Sequence, residues 1–160
     1  MAFKSSLISD SEEDTRNLAK GLLPILGQGT VLLLKGPIGS GKSVLARAII
    51  SSLLMQSNQK EDIPSPTYTL VQCYQADKME IWHVDLYRIE SDLEIMELGL
   101  EEAFETSLCI IEWGEKLGRF TPDDPIEIIF EPHPKFENRR KITILTKDSA
   151  CLPKLEDTLG

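Results

Sequence analysis

The stretch that decides the fold is residues 30–43, which read TVLLLKGPIGSGKS. Its first part, residues 30–35, is a continuous apolar run of strand length. A strand without polar alternation is usually buried on both faces, as in the centre of a parallel α/β sheet. Apolar residues at helical spacing after the loop predict a helix to about Met55: Val44, Leu45, Ala48, Ile49 and Leu53. The stretch therefore predicts a buried strand, a glycine-rich loop and a helix in direct succession.

The glycine-rich loop, residues 36–43, matches the pattern Gly-x4-Gly-Lys-[Ser/Thr] in full. Glycines let successive backbone N–H groups point at one anion, and the following helix adds the positive end of its dipole. Lys42 would supply a charge for the β- and γ-phosphates, and the Ser43 hydroxyl could ligate magnesium. A chance match is disfavoured by the strand before the loop and the helix after it. The predicted phosphate-binding residues are Gly36, Ile38, Gly39, Ser40, Gly41, Lys42 and Ser43.

The charge of the chain limits its partners. The 160 residues carry a net charge of −9, so most of the surface should repel nucleic-acid phosphate. Direct, tight tRNA or DNA binding is therefore disfavoured, although a partner protein could supply it. One basic cluster is interpreted as a solvated loop and the start of a strand. It consists of Lys135, Arg139, Arg140 and Lys141.

The expected location is the cytoplasm. We find no apolar run approaching the roughly 18 residues that cross a bilayer, and residues 1–6 lack a secretory signal. Cys73, Cys109 and Cys151 are odd in number and none is in a Cys-x-x-Cys pair, which favours reduced thiols over disulfides or a zinc site. No membrane contact is expected.

The remaining pattern predicts one α/β domain over residues 1–160, with an uninformative tail at 147–160. A capping box at residues 9–12 begins a helix that should end near Gly27, and residues 91–94 cap a second helix carrying Leu93, Met96 and Leu100. Predicted strands cover residues 67–74, 78–85, 108–112, 125–130 and 141–145, with the first two antiparallel. We expect a P-loop NTPase-like three-layer fold, in which helices flank a mixed, mainly parallel sheet.

Two carboxylates end apolar strands and are candidates for the chemistry. Asp85 shares a strand face with Ile81 and His83, and Glu112 ends a run that a parallel sheet would bring beside the phosphate loop. Alternatively, Asp85 caps a turn and Glu112 is the first exposed residue past a core strand.

Three further features remain open. His83 is interpreted as a hydrogen-bonded structural residue, and Trp82 and Trp113 as packing residues. Residues 65–69 contain hydroxyls that could reach a γ-phosphate, or form an ordinary turn.

Together these segments resemble the TsaE family (formerly YjeE), the bacterial ATPases of threonylcarbamoyladenosine tRNA modification. The phosphate loop is followed, in the family's order, by SPTYTLV at 65–71, HVDLYR at 83–88, ELGL at 97–100 and IEW at 111–113. The resemblance covers about residues 9–146 and implies slow ATP hydrolysis in a protein accessory to TsaD and TsaB. Those proteins transfer a threonylcarbamoyl group to an adenosine beside the anticodon, so contact with tRNA would be indirect.

The resemblance also implies roles for residues. Ser43 and Glu112 would ligate Mg²⁺, Asp85 would act in hydrolysis, and Thr67 and Thr69 would lie in the loop that senses the γ-phosphate. The implied catalytic set consists of Lys42, Asp85 and Glu112. Ser11 or Thr15 would lie near the adenine.

The phosphate loop departs from the family's usual Gly-Asp-Leu-Gly-Ala-Gly-Lys-Thr-Thr. Pro37 replaces the Asp and removes one N–H, Ser43 keeps the hydroxyl of the first Thr, and Val44 loses the hydroxyl of the second. We expect weaker nucleotide binding but retained activity.

Two alternatives share the phosphate loop. A small-molecule kinase would need an arginine-rich lid, for which only Arg139 and Arg140 are close together. A GTP-binding switch protein usually carries Asn/Thr-Lys-x-Asp, and residues 146–149 (TKDS) place the Asp one position early, which favours adenine.

Overall fold

A computed structural model describes residues 3–147. Its strands are β1 (Phe3–Ser9), β2 (Val31–Lys35), β3 (Val71–Ala76), β4 (Met79–Asp85), β5 (Leu108–Glu112), β6 (Ile126–Pro132) and β7 (Arg140–Thr146). Its α-helices are α1 (Glu12–Leu22), α2 (Lys42–Gln56), α3 (Asp92–Glu97) and α4 (Leu100–Thr106). Two 3₁₀ helices cover Leu23–Ile25 and Gly114–Phe120.

The strands form one seven-stranded sheet in the order β1-β7-β6-β2-β5-β4-β3. The four adjacent strands β6, β2, β5 and β4 run parallel. The outer pairings β1–β7, β7–β6 and β4–β3 are antiparallel, so β1 again runs in the direction of the parallel strands. The predicted α/β fold with a mixed, mainly parallel sheet is confirmed. The central position of β2 brings its carboxyl end, and the loop after it, to the middle of one sheet edge.

The sheet separates two hydrophobic cores because successive strand residues face opposite sides. Leu32 and Leu34 of β2 belong to the core under α1 and α2. Val31 and Leu33 belong to the core that contains residues of α3, α4 and the second 3₁₀ helix. All four side chains are buried, which explains why this strand lacks polar alternation. The flanking helices give the predicted three layers.

Several predicted boundaries are wrong at the N-terminal side. β1 was not predicted, and the cap of α1 is Ser11, whose hydroxyl accepts from the Asp14 N–H, not Ser9. The helix ends at Leu22, well before Gly27, because Pro24 has no N–H for a further helical hydrogen bond.

Two later elements also differ from the prediction. β3 begins at Val71, not at residue 67, because residues 67–70 form a turn closed by the Leu70 N–H on the Pro66 carbonyl at 2.7 Å. The capping box of Ser91 and Glu94 is confirmed, but Gly99, with a φ of 74°, divides the predicted helix into α3 and α4. Leu93 and Met96 are exposed, whereas Leu100 is buried.

Some of the sequence predictions concern residues after 147. Cys151, the Asp148 and Ser149 of the TKDS segment, and the tail from residue 148 onward lie outside the described residues. Cys73 and Cys109 are free thiols. No helix within residues 3–147 is long and apolar enough to span a membrane.

Candidate functional site

The phosphate loop joins β2 to α2 at the centre of the sheet edge. Gly36, Gly39 and Gly41 have φ values of 148°, 74° and 110°, a region that side-chain-bearing residues rarely adopt. A Cβ on Gly36 would lie 2.7 Å from the Phe130 carbonyl oxygen and 2.8 Å from Ser40 Oγ. The loop therefore requires glycine at this position on two counts, the backbone angle and the close approach of β6.

Ser40 carries a buried polar atom in the loop. Its side chain is buried, and Oγ has no hydrogen-bond partner among residues 3–147. A buried hydroxyl without a partner is costly in a protein interior. A phosphate oxygen would satisfy it, so the loop's interior fits an anionic ligand.

Lys42 begins α2 and folds its side chain toward the loop. Nζ donates to the carbonyl oxygens of Gly36 and Pro37, the latter at 2.8 Å, and lies 4.0 Å from the centroid of the Trp113 ring. Burial lowers the pKa of Lys42 below its ordinary value, while the nearby charges of Glu112, Glu115 and Asp85 act in the opposite direction. The ammonium group is thus held at the loop by two carbonyl oxygens and the face of the Trp113 ring.

Asp85 and Glu112 meet because they end neighbouring parallel strands. They are register partners on β4 and β5. Their relative exposures are 3% and 1%, so the alternative that Glu112 is an exposed residue past the core is wrong. Glu112 Oε1 accepts a 2.5 Å hydrogen bond from Ser43 Oγ, which links the strand end to the first turn of α2.

The second carboxylate is held by the turn that precedes β3. Thr67 Oγ1 donates to Asp85 Oδ2 at 3.0 Å, and the Tyr87 N–H donates to Oδ1 at 2.8 Å. Asp85 therefore does cap a turn, as one alternative held, but it also faces the cavity. Thr69 lies elsewhere, because its hydroxyl accepts from the Gln72 side chain and is exposed.

The structure shows the contacts of His83 and of the two tryptophans. His83 is hydrogen-bonded as expected, but its partner is Glu112, with Nε2 2.7 Å from Oε2. Trp82 packs against the core of α3 and α4. Trp113 also packs against this core, as interpreted, and in addition it lines the cavity, with its ring centroid 5.1 Å from that of Tyr87.

The start of α1 and the β6–β7 connection form another wall of the cavity beside the phosphate loop. Ser11 and Thr15, the candidates for the adenine side, both line it. Arg140 Nη2 donates to the Gly39 carbonyl at 2.8 Å, and Arg139 Nε lies 2.6 Å from Asp10 Oδ1. The basic cluster is the loop and strand start that the sequence predicts, since β7 begins at Arg140, but Arg140 also contacts the phosphate loop. No local pattern could have revealed the contact, because Arg140 and Gly39 are 101 positions apart.

One cavity of about 700 Å³ lies between the phosphate loop, the two carboxylates, the start of α1 and the β6–β7 connection. Nine of the predicted site residues line it: Ile38, Gly39, Ser40, Gly41, Lys42, Ser43, Thr67, Asp85 and Glu112. Gly36, predicted as a phosphate-binding residue, does not line the cavity and lies against Phe130 of β6. Lining residues that the predicted set lacked include Tyr87, Trp113, Asn138 and Arg140.

The oxygen donors at the cavity fit a magnesium ion. The Ser43 hydroxyl and the Glu112 carboxylate are hard oxygen ligands, the type that Mg²⁺ prefers. Within the described part of the chain no group of three His, Cys, Asp or Glu side chains could hold a metal. A site with two protein ligands suits Mg²⁺, which usually completes its shell with water and substrate phosphates.

The chain is similar to proteins of one family. The family model of "Threonylcarbamoyl adenosine biosynthesis protein TsaE" matches residues 9–142. The tRNA threonylcarbamoyladenosine biosynthesis protein TsaE of Rickettsia felis is 38% identical over 143 residues, which cover 89% of this chain and 81% of that protein. The protein of the same name from Aquifex aeolicus is 32% identical over 147 residues, which cover 92% of this chain and 100% of that protein.

A solved structure supports the fold. The crystal structure of Bacillus subtilis YdiB superposes with a TM-score of 0.78 and covers 99% of this chain and 96% of its own. At 20% sequence identity, this likeness bears on the fold alone.

Proposed function

Because this chain belongs to the TsaE family of threonylcarbamoyl adenosine biosynthesis proteins, we propose that it is a magnesium-dependent ATPase serving that tRNA modification as an accessory to TsaD and TsaB. The observation that carries the proposal is the convergence of the phosphate loop with two buried carboxylates in one cavity. A phosphate loop alone supports only nucleotide binding. The carboxylates of Asp85 and Glu112 add groups that hydrolysis requires.

The proposed binding step uses the loop and Lys42. Backbone N–H groups of residues 39–43 and the start of α2 would bind the phosphates, and Lys42 would exchange its carbonyl contacts for the β- and γ-phosphates. The orphaned Ser40 hydroxyl would gain a partner in the same step. Ser11 and Thr15 on the α1 side would face the nucleoside.

Magnesium, when bound, would neutralise phosphate charge at the transition state. Ser43 and Glu112 are its proposed protein ligands. Their existing hydrogen bond already holds the two oxygen donors together at the start of α2.

Asp85 is the proposed hydrolytic residue. In the reaction, a water oxygen bonds to the γ-phosphorus and the bond to the β–γ bridging oxygen breaks, which yields ADP, phosphate and a proton. Asp85 would either accept that proton or orient the water that attacks. Thr67 and the Tyr87 N–H hold both carboxylate oxygens in place, which favours a fixed orientation.

The partnership with TsaD and TsaB suits the charge of the chain. A net charge of −9 disfavours direct binding of tRNA, so the partners would hold it. Contact with tRNA is therefore proposed as indirect. A cytoplasmic location is part of the proposal, and the free thiols of Cys73 and Cys109 are compatible with it.

The kinase alternative is less well supported. It would require arginines free to close over the transferred phosphoryl group. Arg139 is paired with Asp10, and Arg140 contacts the Gly39 carbonyl. Both arginines thus have partners at the rim.

The test is an ATPase assay of the purified chain with and without TsaB and TsaD. We expect slow Mg²⁺-dependent turnover alone and stimulation by the two partners. Lys42→Ala should abolish ADP binding measured by calorimetry, and it serves as the inactive control. Absence of both stimulation and complex formation would reject the accessory role, and phosphoryl transfer to a small molecule would favour the kinase.

A further inference from the structure

The Glu112 carboxylate is held from both sides. Oε1 accepts from Ser43 Oγ at 2.5 Å, while Oε2 lies 2.7 Å from Nε2 of His83. The side chains of His83 and Glu112 are 0% and 2% exposed. Neither oxygen of this carboxylate therefore depends on bulk water for its orientation.

Within the described residues, the His83 ring makes one hydrogen bond, which is the one to Glu112. A neutral imidazole has one N–H, and placing it on Nε2 allows donation to the carboxylate. Nδ1 has no hydrogen-bond partner within residues 3–147. A buried polar ring carries a desolvation cost that an apolar side chain would avoid. The Glu112 hydrogen bond is the compensation that the structure provides.

The strand register explains how His83 reaches this place. Ile81, His83 and Asp85 share one face of β4. Ile81 is in the core under α2, and Asp85 lies at the cavity as the register partner of Glu112. His83 occupies the step between them, beneath the carboxylate. One strand thus supplies both a cavity-lining acid and a support for its neighbour.

We propose that His83 is a positioning residue, which fixes Glu112 so that its Oε1 faces Ser43 and the metal that both would hold. This inference rests on the proposed magnesium site. Glu112 has a flexible side chain, and a second hydrogen bond restricts its rotamers before ligand binding. Hydrogen-bond partners that orient metal ligands typically change metal affinity by about 10–100-fold when they are removed.

The test compares His83→Gln with His83→Asn. Both variants carry an amide, but only Gln is long enough to present an N–H near the place of Nε2. ADP binding is measured by calorimetry in EDTA and across a Mg²⁺ titration. We expect similar ADP affinity in EDTA for all three proteins. The Asn variant should need about 10–100-fold more Mg²⁺ for its half-maximal effect, and Gln should approach the wild type.

The outcomes separate this inference from the proposed function. If the wild type responds to Mg²⁺ and the Asn variant responds identically, the positioning role is rejected and the magnesium site stands. Equal weakening in Gln and Asn would also reject it, since the hydrogen bond would not be the cause. A wild type that ignores Mg²⁺ would overturn both proposals. Thermal unfolding without ligand provides the structural control: a purely structural role lowers the unfolding temperature and leaves the Mg²⁺ requirement unchanged.

Discussion

Thr67 Oγ1 donates a 3.0 Å hydrogen bond to Asp85 Oδ2 across 18 positions of the chain. The other oxygen of the same carboxylate accepts from the Tyr87 N–H. The turn before β3 and the end of β4 therefore fix one acid at the cavity. The Leu70 carbonyl of this turn also accepts from the Asp85 N–H at 2.9 Å, so a backbone and a side-chain hydrogen bond both tie the turn to Asp85.

Thr67→Val removes the hydroxyl with little change of shape, and we expect it to lower kcat by roughly tenfold or more. A hydrogen bond to a charged group contributes about 1.5–3 kcal/mol. ADP affinity should stay within about twofold, because ADP lacks the γ-phosphate. Steady-state kinetics and calorimetry measure the two effects. Thr106→Val is the matched control, since Thr106 is exposed and its hydroxyl bonds the Glu102 carbonyl of its own helix and the adjacent Ser107 hydroxyl, not a cavity-lining group. An unchanged kcat in Thr67→Val would contradict this account of Asp85.

Nucleotide affinity should fall at alkaline pH because of Lys42. Burial lowers the pKa of Lys42, so its proton is lost at a lower pH than that of an exposed lysine. The charged form binds phosphate and the neutral form does not, hence affinity decreases as pH rises through this pKa. Calorimetry with ADP over a pH series measures the decrease. Lys42→Arg keeps its charge throughout and should give a flatter profile. Parallel profiles would place the titration on another group.

The sequence was most informative where local chemistry determines structure. The β2–loop–α2 unit follows from an apolar run, three glycines and helical spacing, and Asp85 and Glu112 were both predicted at strand ends, although their pairing in register appears only in the structure. β1 was not predictable in this way. Its segment, FKSSLIS, is short of apolar residues, and it becomes a strand by pairing with β7 more than 100 positions later.

The site residues that the sequence did not predict also depend on pairings between distant parts of the chain. Arg140 reaches Gly39 only because β7 returns beside β6, and Trp113 faces the cavity because its backbone turns to a φ of 61° after β5. His83 has an ordinary strand environment in the sequence, and its partner becomes evident only when β4 and β5 are in register. Contacts of this kind depend on tertiary packing, which local patterns do not encode.

Cys109 should resist alkylation in the folded protein. Burial, with smaller contributions from Cys73 and Glu80, raises the pKa of Cys109 to about 12 from 9.0. Iodoacetamide at pH 8 should therefore leave Cys109 unmodified until the chain is unfolded, as measured by peptide mass spectrometry. Modification of Cys109 at the same rate in native and unfolded protein would show that the thiol is accessible.

The raised pKa of Cys109 also makes the free energy of unfolding depend on pH. Above pH 9.0 the unfolded thiol ionises while the folded thiol stays protonated up to about 12, so the unfolded state binds fewer protons. The free energy of unfolding should then fall by about 1.4 kcal/mol per pH unit in this range, from this group. Urea unfolding of the wild type and of Cys109→Ala separates this contribution, because the variant should lose that slope.

Arg140→Ala should weaken ADP binding by roughly three- to tenfold, or about 0.6–1.4 kcal/mol. The guanidinium lies at the phosphate loop, where it donates to the Gly39 carbonyl and adds a positive charge beside the anion. Lys141→Ala is the matched control: it removes the same charge from the next residue of β7, whose side chain is exposed and points to the other face of the sheet. Calorimetry at constant ionic strength compares the two variants, and thermal unfolding checks that both remain folded. If both lose the same affinity, the effect is one of net charge alone. If only Arg140→Ala loses affinity, the β6–β7 hairpin forms part of the nucleotide site, although no local feature of the sequence indicates it.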